Sequence, residues 1–183
     1  MFSLQSLTKA NDIGDFQIEG MSIGDSLLNY LSITKINDNI SKGQNYKGTN
    51  YKRTCIDNFG SVYDRFCVTF LNDKRKTIQS IQGQLRYNKI NYELCKNKMN
   101  DIDKELSDLF KGLKKKNWGL LELTLLQKAF PESTYHPITY DFKDQSRTQL
   151  GCYNYPSADL TVFKLAVYNS EIRKLITSQA VEK

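Results

Sequence analysis

The residues best equipped for chemistry are four cysteines, Cys55, Cys67, Cys95 and Cys152, in a chain of 183 residues. Two thiols do covalent work by joining, by attacking a substrate or by holding a metal. The sequence has no CxxC pair, and its single histidine, His136, has no partner at ligand spacing, so no metal is assigned. Cys55 and Cys67 fall on opposite arms of an expected β-hairpin, where antiparallel strands bring Cβ atoms within bonding range. Cys95 falls on the inner face of an expected long helix, and Cys152 in a strand that can pack against it. Cys55–Cys67 with Cys95–Cys152 is the favoured pairing among three connectivities. Four unbonded thiols, packed as small apolar side chains in a reducing compartment, are the alternative. Each bridge would contribute about 2–4 kcal/mol.

Other catalytic constellations are not legible. His136 precedes Pro137 in an expected loop, without a nucleophile elbow or a cysteine-protease signature. The ten glycines are scattered, so neither a phosphate-binding loop nor a dinucleotide fingerprint is present. Glu93, Asp101, Asp103, Glu105 and Asp108 line a polar helix face, and Asp141 and Asp144 flank an expected turn; no pair is singled out. No catalytic residue and no cofactor are assigned, and the reading is of a protein that is not an enzyme. Aromatic and apolar residues of the second half form a candidate binding face: Trp118, Leu121, Leu125, Tyr135, Tyr140, Tyr153 and Tyr155. Such residues suit a protein contact, a carbohydrate platform or a plain sheet core.

The elements that must hold these residues follow from hydrophobic spacing. Asp25 reads as an N-cap for a helix with Leu27, Leu28 and Leu31 on one face, preceded by a short strand and a glycine-marked turn. A second short helix is expected around Ile33, Ile36 and Ile40, and a polar loop over 43–50. Strands are expected at 51–56, 62–71 and 77–87. A helix over 91–113 carries Cys95, Met99, Ile102, Leu106, Leu109 and Leu113 at helical steps. The 117–130 segment stays open between helix, strand and partner-binding segment. Strands at 138–143, 149–155 and 160–168 follow, then a terminal helix begun by Asn169. The expected class is α+β: an antiparallel sheet of two three-stranded meanders with helices packed on one face. One domain over 1–183 is expected, its halves, 16–87 and 91–178, sharing a core.

The formal charge of +6 is spread along the chain, with clusters only at Lys74-Arg75-Lys76 and Lys114-Lys115-Lys116, each placed at an element end or turn. No nucleic-acid reading motif accompanies them, so no specific nucleic acid is assigned, while contact with an anionic surface stays open. No apolar run reaches the roughly 20 residues of a membrane span. The first ten residues lack the plan of a signal peptide, which fits either a cytoplasmic protein or one whose leader was removed.

The stretches Ile18-Glu-Gly-Met-Ser-Ile-Gly-Asp-Ser-Leu-Leu-Asn-Tyr-Leu-Ser32, 78–83, 92–95, 151–155 and 165–171 resemble a family of small uncharacterised exported proteins of marine alphaproteobacteria (Pelagibacter-like). That resemblance implies an N-terminal leader and export, with no biochemical activity attached. The chain departs from it at Cys55, Cys67 and 117–130. The strand-to-helix unit with a following meander also resembles, in fold alone, an outer-membrane assembly lipoprotein and the β-lactamase inhibitor protein, which bind other proteins. The resulting expectation is a periplasmic or secreted, non-enzymatic protein acting by protein–protein interaction. The alternative is a small-molecule or glycan binder using a tyrosine-rich cleft. A hydrolase with an unfamiliar carboxylate site is a third class.

Overall fold

Strict alternation builds the centre of the molecule. In β2 (Arg65–Leu71), Phe66, Val68 and Phe70 point one way while Arg65, Cys67 and Thr69 point the other. The same parity runs through β1 (Tyr51–Asp57) and β3 (Ile78–Asn88), which flank it in antiparallel pairing. Later in the chain come β4 (Lys114–Asn117), β5 (Leu121–Glu122), β6 (Thr134–Asp141), β7 (Arg147–Tyr155) and β8 (Leu160–Tyr168). The helices are α1 (Ile33–Asp38), α2 (Tyr92–Leu109) and α3 (Ser170–Val181). The computed structural model describes residues 12–40, 48–60, 62–88, 91–124 and 127–181.

All the pairings are antiparallel, and they form one sheet in the order β1-β2-β3-β8-β7-β6-β4, with β5 also on β6. The fold is therefore α+β, but not two separate meanders. The seam between the halves is itself a strand pair: β3 and β8 run in register from Ser80 opposite Tyr168 to Asn88 opposite Leu160.

The helices do not share one face either. The buried face of α2, with Cys95, Met99, Ile102 and Leu106, packs with Phe66, Val68, Phe70, Leu150, Phe163 and Leu165 in the main core. α3 lies at the opposite face, because Glu171 and Arg173 reach Tyr51 and Asp141, which share a side with Cys55 and Cys67. The physical reason is the parity of the strands: each buries residues on both sides, so both faces need cover.

The N-terminal segment departs most from expectation. No strand and amphipathic helix form over 16–31. Instead Ile18 and Met21 bridge across a tight turn whose Glu19 and Gly20 have φ of 52° and 76°, and Leu27–Asn29 make one 3-10 turn. Asp25 is not a cap: its carboxylate accepts from the Ser22 backbone N–H and the Tyr30 hydroxyl, pinning the turn. Phe16, Ile18, Met21, Leu27 and Leu31 are buried in the α2-side core, whereas Leu28 is exposed. The expected second helix forms as α1, with Ser32 capping the Lys35 N–H.

α2 starts where Asn91 accepts from the Leu94 N–H and ends four residues early, since Gly112 takes a φ of 92°. Lys114–Lys116 is not a turn but the start of the edge strand β4, whose side chains are all exposed. Lysine on an edge discourages pairing with another chain. At the other edge, β1 is met by the end of α1, through Ile40 opposite Thr54 and the Cys55 N–H donating to Asn39. Gly83 is required by contact: a Cβ there would lie 2.4 Å from the buried Tyr63 ring.

Candidate functional site

Two disulfides pin the two faces. Cys55 and Cys67 sit directly opposite, and the Cys55 N–H turns outward to Asn39, so this is a non-hydrogen-bonded pair with its side chains close. Cys95 joins α2 to Cys152 on β7 across the main core, spanning 57 residues of chain. Such crosslinks are consistent with an oxidising, extracellular compartment. Among the described residues no helix is long and apolar enough to cross a membrane, and no three or more His, Cys, Asp or Glu side chains gather as a metal site.

The sheet face opposite α2 is unusual in its chemistry. Following the register across it from β1 to β6 gives Arg53, Thr69, Ser80, Gln82, Lys164, Gln149, Tyr153 and Tyr135. α3 lies at one end, where Asp141 accepts from Arg147 at 2.7 Å and from Arg173 at 3.2 Å. Burial opposes ionisation of Asp141, but the Arg147 and Arg173 guanidinium groups outweigh it and hold the carboxyl below its usual range. At the other end Phe130 packs edge-on against Tyr155. Between them Tyr135 stacks on Tyr153, and the half-buried Lys164 sits with its Nζ 3.9 Å from the Tyr153 ring centroid. Lys164 donates to the Tyr155 hydroxyl at 3.3 Å, and Arg53 donates to Gln82 at 3.0 Å. Burial first, and the neighbouring Arg53 charge second, pull the Lys164 ammonium down to about 8. Burial also raises the phenols of Tyr153 and Tyr155, so both stay neutral donors.

The expected binding-face residues divide. Tyr135, Tyr153, Tyr155, Leu121 and Trp118 meet on this face or its β4–β5 rim. The Trp118 indole donates to Thr139, and Lys116 Nζ lies 3.2 Å from the indole centroid. Tyr140 does not belong there: it is 1 % exposed on the α2 side, packed against Phe110. Its parity along β6 is opposite to that of Tyr135. Leu125 lies outside the described residues, as do 1–11 and the 43–47 part of the expected loop. The remaining 117–130 segment is a broken edge: β4, an exposed Trp118–Leu120 corner, and β5.

Spacing alone did not single out one cluster. Asp103, Ser107, Lys115 and Tyr140 converge where α2 meets β4 and β6, with Lys115 Nζ 3.0 Å from the Ser107 hydroxyl. A Ser–Lys pair can be a nucleophile and its base. Here Lys115 is ion-paired to Asp103 at 2.6 Å, and Ser107 donates back to the Asp103 carbonyl, so the lysine has no free lone pair and the serine proton is committed. The cluster ties helix to sheet. The helical i, i+4 spacing of Asp103 and Ser107 was the available signal. The His136 Nε2–H donates to the Asn117 amide oxygen at 2.7 Å, and burial, then the Lys96 charge, lowers its pKa. Asn117, its hydrogen-bond partner, is not a nucleophile.

No family model matches the chain, and neither the curated proteins nor the solved structures contain a match.

Proposed function

We propose that this chain is an exported, periplasmic or secreted protein that works by non-covalent binding of another protein rather than by catalysis. The observation that carries this reading is the β4–β5 rim. Trp118, Leu120 and Phe130 are 39 %, 60 % and 37 % exposed there, beside a run of three exposed lysines. A large exposed aromatic with the Lys116 ammonium over its face fits the anchor of a protein interface. The charge of the rim selects the partner chemistry: an acidic surface presenting an apolar residue. The two disulfides support an oxidising location, as does the resemblance to exported proteins.

Trp118 is the sole tryptophan, so its emission reports the rim without labelling. Titration with partner candidates isolated from the native compartment should shift that emission, and the complex should weaken with salt. Trp118→Ala and Leu120→Ser should lower affinity at least tenfold while the fold is kept. An unchanged affinity in both variants would remove the rim from the account.

A second reading, small-molecule or glycan binding, is favoured by the Tyr135–Tyr153 stack and the Phe130–Tyr155 contact on the same side of the sheet. A thermal-shift screen of sugars and metabolites addresses it, because a ligand that binds only the folded state raises the melting temperature.

A further inference from the structure

The sheet ends at β4 in an open edge. Among the described residues β4 pairs with β6 alone, and it is exposed along its whole length. Lys114 stands opposite Asp141 and Lys116 opposite Thr139, and the same register carries on to Trp118, whose N–H donates to the Pro137 carbonyl. Antiparallel pairing alternates, so the backbone groups of Lys114 and Lys116 turn inward to β6, and those of Lys115 and Asn117 turn outward. Among the described residues no other backbone group meets that outward row. The side chains alternate too. Lys115 and Asn117 lie on the α2 side, tied to Asp103 and His136, while Lys114, Lys116 and Trp118 share the other face. Lys116 lies over the Trp118 ring, and Lys114 stands in the field of an Asp141 already clasped by two arginines. Among the described residues neither lysine has a carboxylate at ion-pairing distance.

We infer that an extended acidic segment of the partner protein adds to the sheet beside β4, antiparallel to it, with acidic side chains opposite Lys116 and Lys114 and an apolar one against Trp118. The inference rests on the protein-binding reading above and names the shape and chemistry of the partner. An open edge supplies hydrogen bonds that are blind to sequence, and the alternate side chains supply the selection. The lysines repel a like-charged strand, a second copy of β4 included, and admit an acidic one. Antiparallel addition continues the geometry of the existing β4–β6 pair. Read from its N-terminus, the partner segment is therefore apolar, any residue, acidic, any residue, acidic.

The probe is a peptide with both ends blocked, Thr-Leu-Thr-Glu-Thr-Glu-Thr, titrated into the full, oxidised chain at pH 7 and followed by Trp118 emission and by calorimetry. Its two central threonines would face Asn117 and Lys115 and donate their N–H groups to those carbonyls, whereas the N–H groups of its glutamates would point away. The expected result is saturable binding, weakened at least tenfold by N-methylation of the two central threonines and kept on N-methylation of the two glutamates. Lysine in place of both glutamates, or Lys116→Glu in the protein, should also weaken binding at least tenfold, and Lys104→Glu, exposed on α2, should leave it unchanged. The N-methylated peptides act on the native protein, so they carry the test should Lys116→Glu fail to fold. Binding that ignores the position of the N-methyl groups overturns strand addition, yet leaves side-chain contact at the rim, and with it the protein-binding reading, standing. No saturable binding overturns the inference, while the protein-binding reading is then judged by Trp118→Ala and Leu120→Ser against the native partner. A dimer of the free protein that the peptide dissociates would make a second copy the occupant, and overturns it as well.

Discussion

Lys164 is where the fold spends stability on charge. Its folded pKa lies near 8, below the ordinary lysine value of 10.5, so the unfolded chain binds more protons between those two values. Stability from this group therefore rises with pH across that window and is at its lowest below pH 8. The Arg53 charge adds to the cost of burial, while Tyr153 and Tyr155 stay neutral. Above pH 10 the raised tyrosines act with opposite sign, since they resist the ionisation that the unfolded chain undergoes. Chemical denaturation of the ligand-free protein should give increasing stability from pH 8 to pH 10, and Lys164→Met should be more stable than native at pH 7 with that rise removed. A flat native profile would show that the charge is compensated. Thr148 offers a second residue-level test. Its hydroxyl is buried without a partner, so Thr148→Val should be neutral or stabilising by about 1 kcal/mol in urea unfolding. Single residues were the least legible level in the sequence. The parity of Tyr153 and Tyr155 could be read, but the register that brings Arg53 and Lys164 onto one face is a long-range fact.

Elements with strict alternation were legible: the three strands of the first half and β8 follow the expected spans because one side of each is apolar. The Cys55–Cys67 pairing follows from the same hairpin. The 16–31 segment was misread because Leu27, Leu28 and Leu31 mimic a helical face, whereas tertiary burial of Phe16, Ile18 and Met21 decides its path. β4 carried no period at all, being Lys-Lys-Lys-Asn with every side chain exposed; it is a strand only because β6 presents an open edge. α3 is held to the polar face by the Asp141 clasp. Asp141→Asn should cost about 1.5–3 kcal/mol, the usual worth of hydrogen bonds to a charged group, and should speed proteolysis within α3. Because the Asp141 pKa is depressed, its contribution is complete above about pH 4 and is lost as pH falls through the folded value. An unchanged cleavage rate would place the hold on α3 elsewhere.

At the scale of the molecule, one continuous sheet was not legible, since nothing local tells β3 to pair with β8 eighty residues away rather than end its own meander. The two bridges act on this topology differently. By chain entropy, the 12-residue Cys55–Cys67 loop is worth about 3 kcal/mol and the 57-residue Cys95–Cys152 loop about 4 kcal/mol. Cys95→Ala with Cys152→Ala should therefore lower stability more than the Cys55/Cys67 double substitution, as read by guanidinium midpoints at constant slope. The reverse order would mean that native packing, and not the unfolded chain, sets the value of each bridge.

The binding reading stands or falls at the exposed rim of β4 and β5. A photo-crosslinking residue placed at Leu120, the most exposed large apolar side chain described, reads that rim directly in the native compartment. The account predicts one dominant adduct with an acidic protein, diminished by salt and by Lys114→Glu with Lys116→Glu. The same crosslinker at the exposed Lys104 on α2 should give none. Equal labelling at Leu120 and Lys104, or no adduct at Leu120, would contradict it.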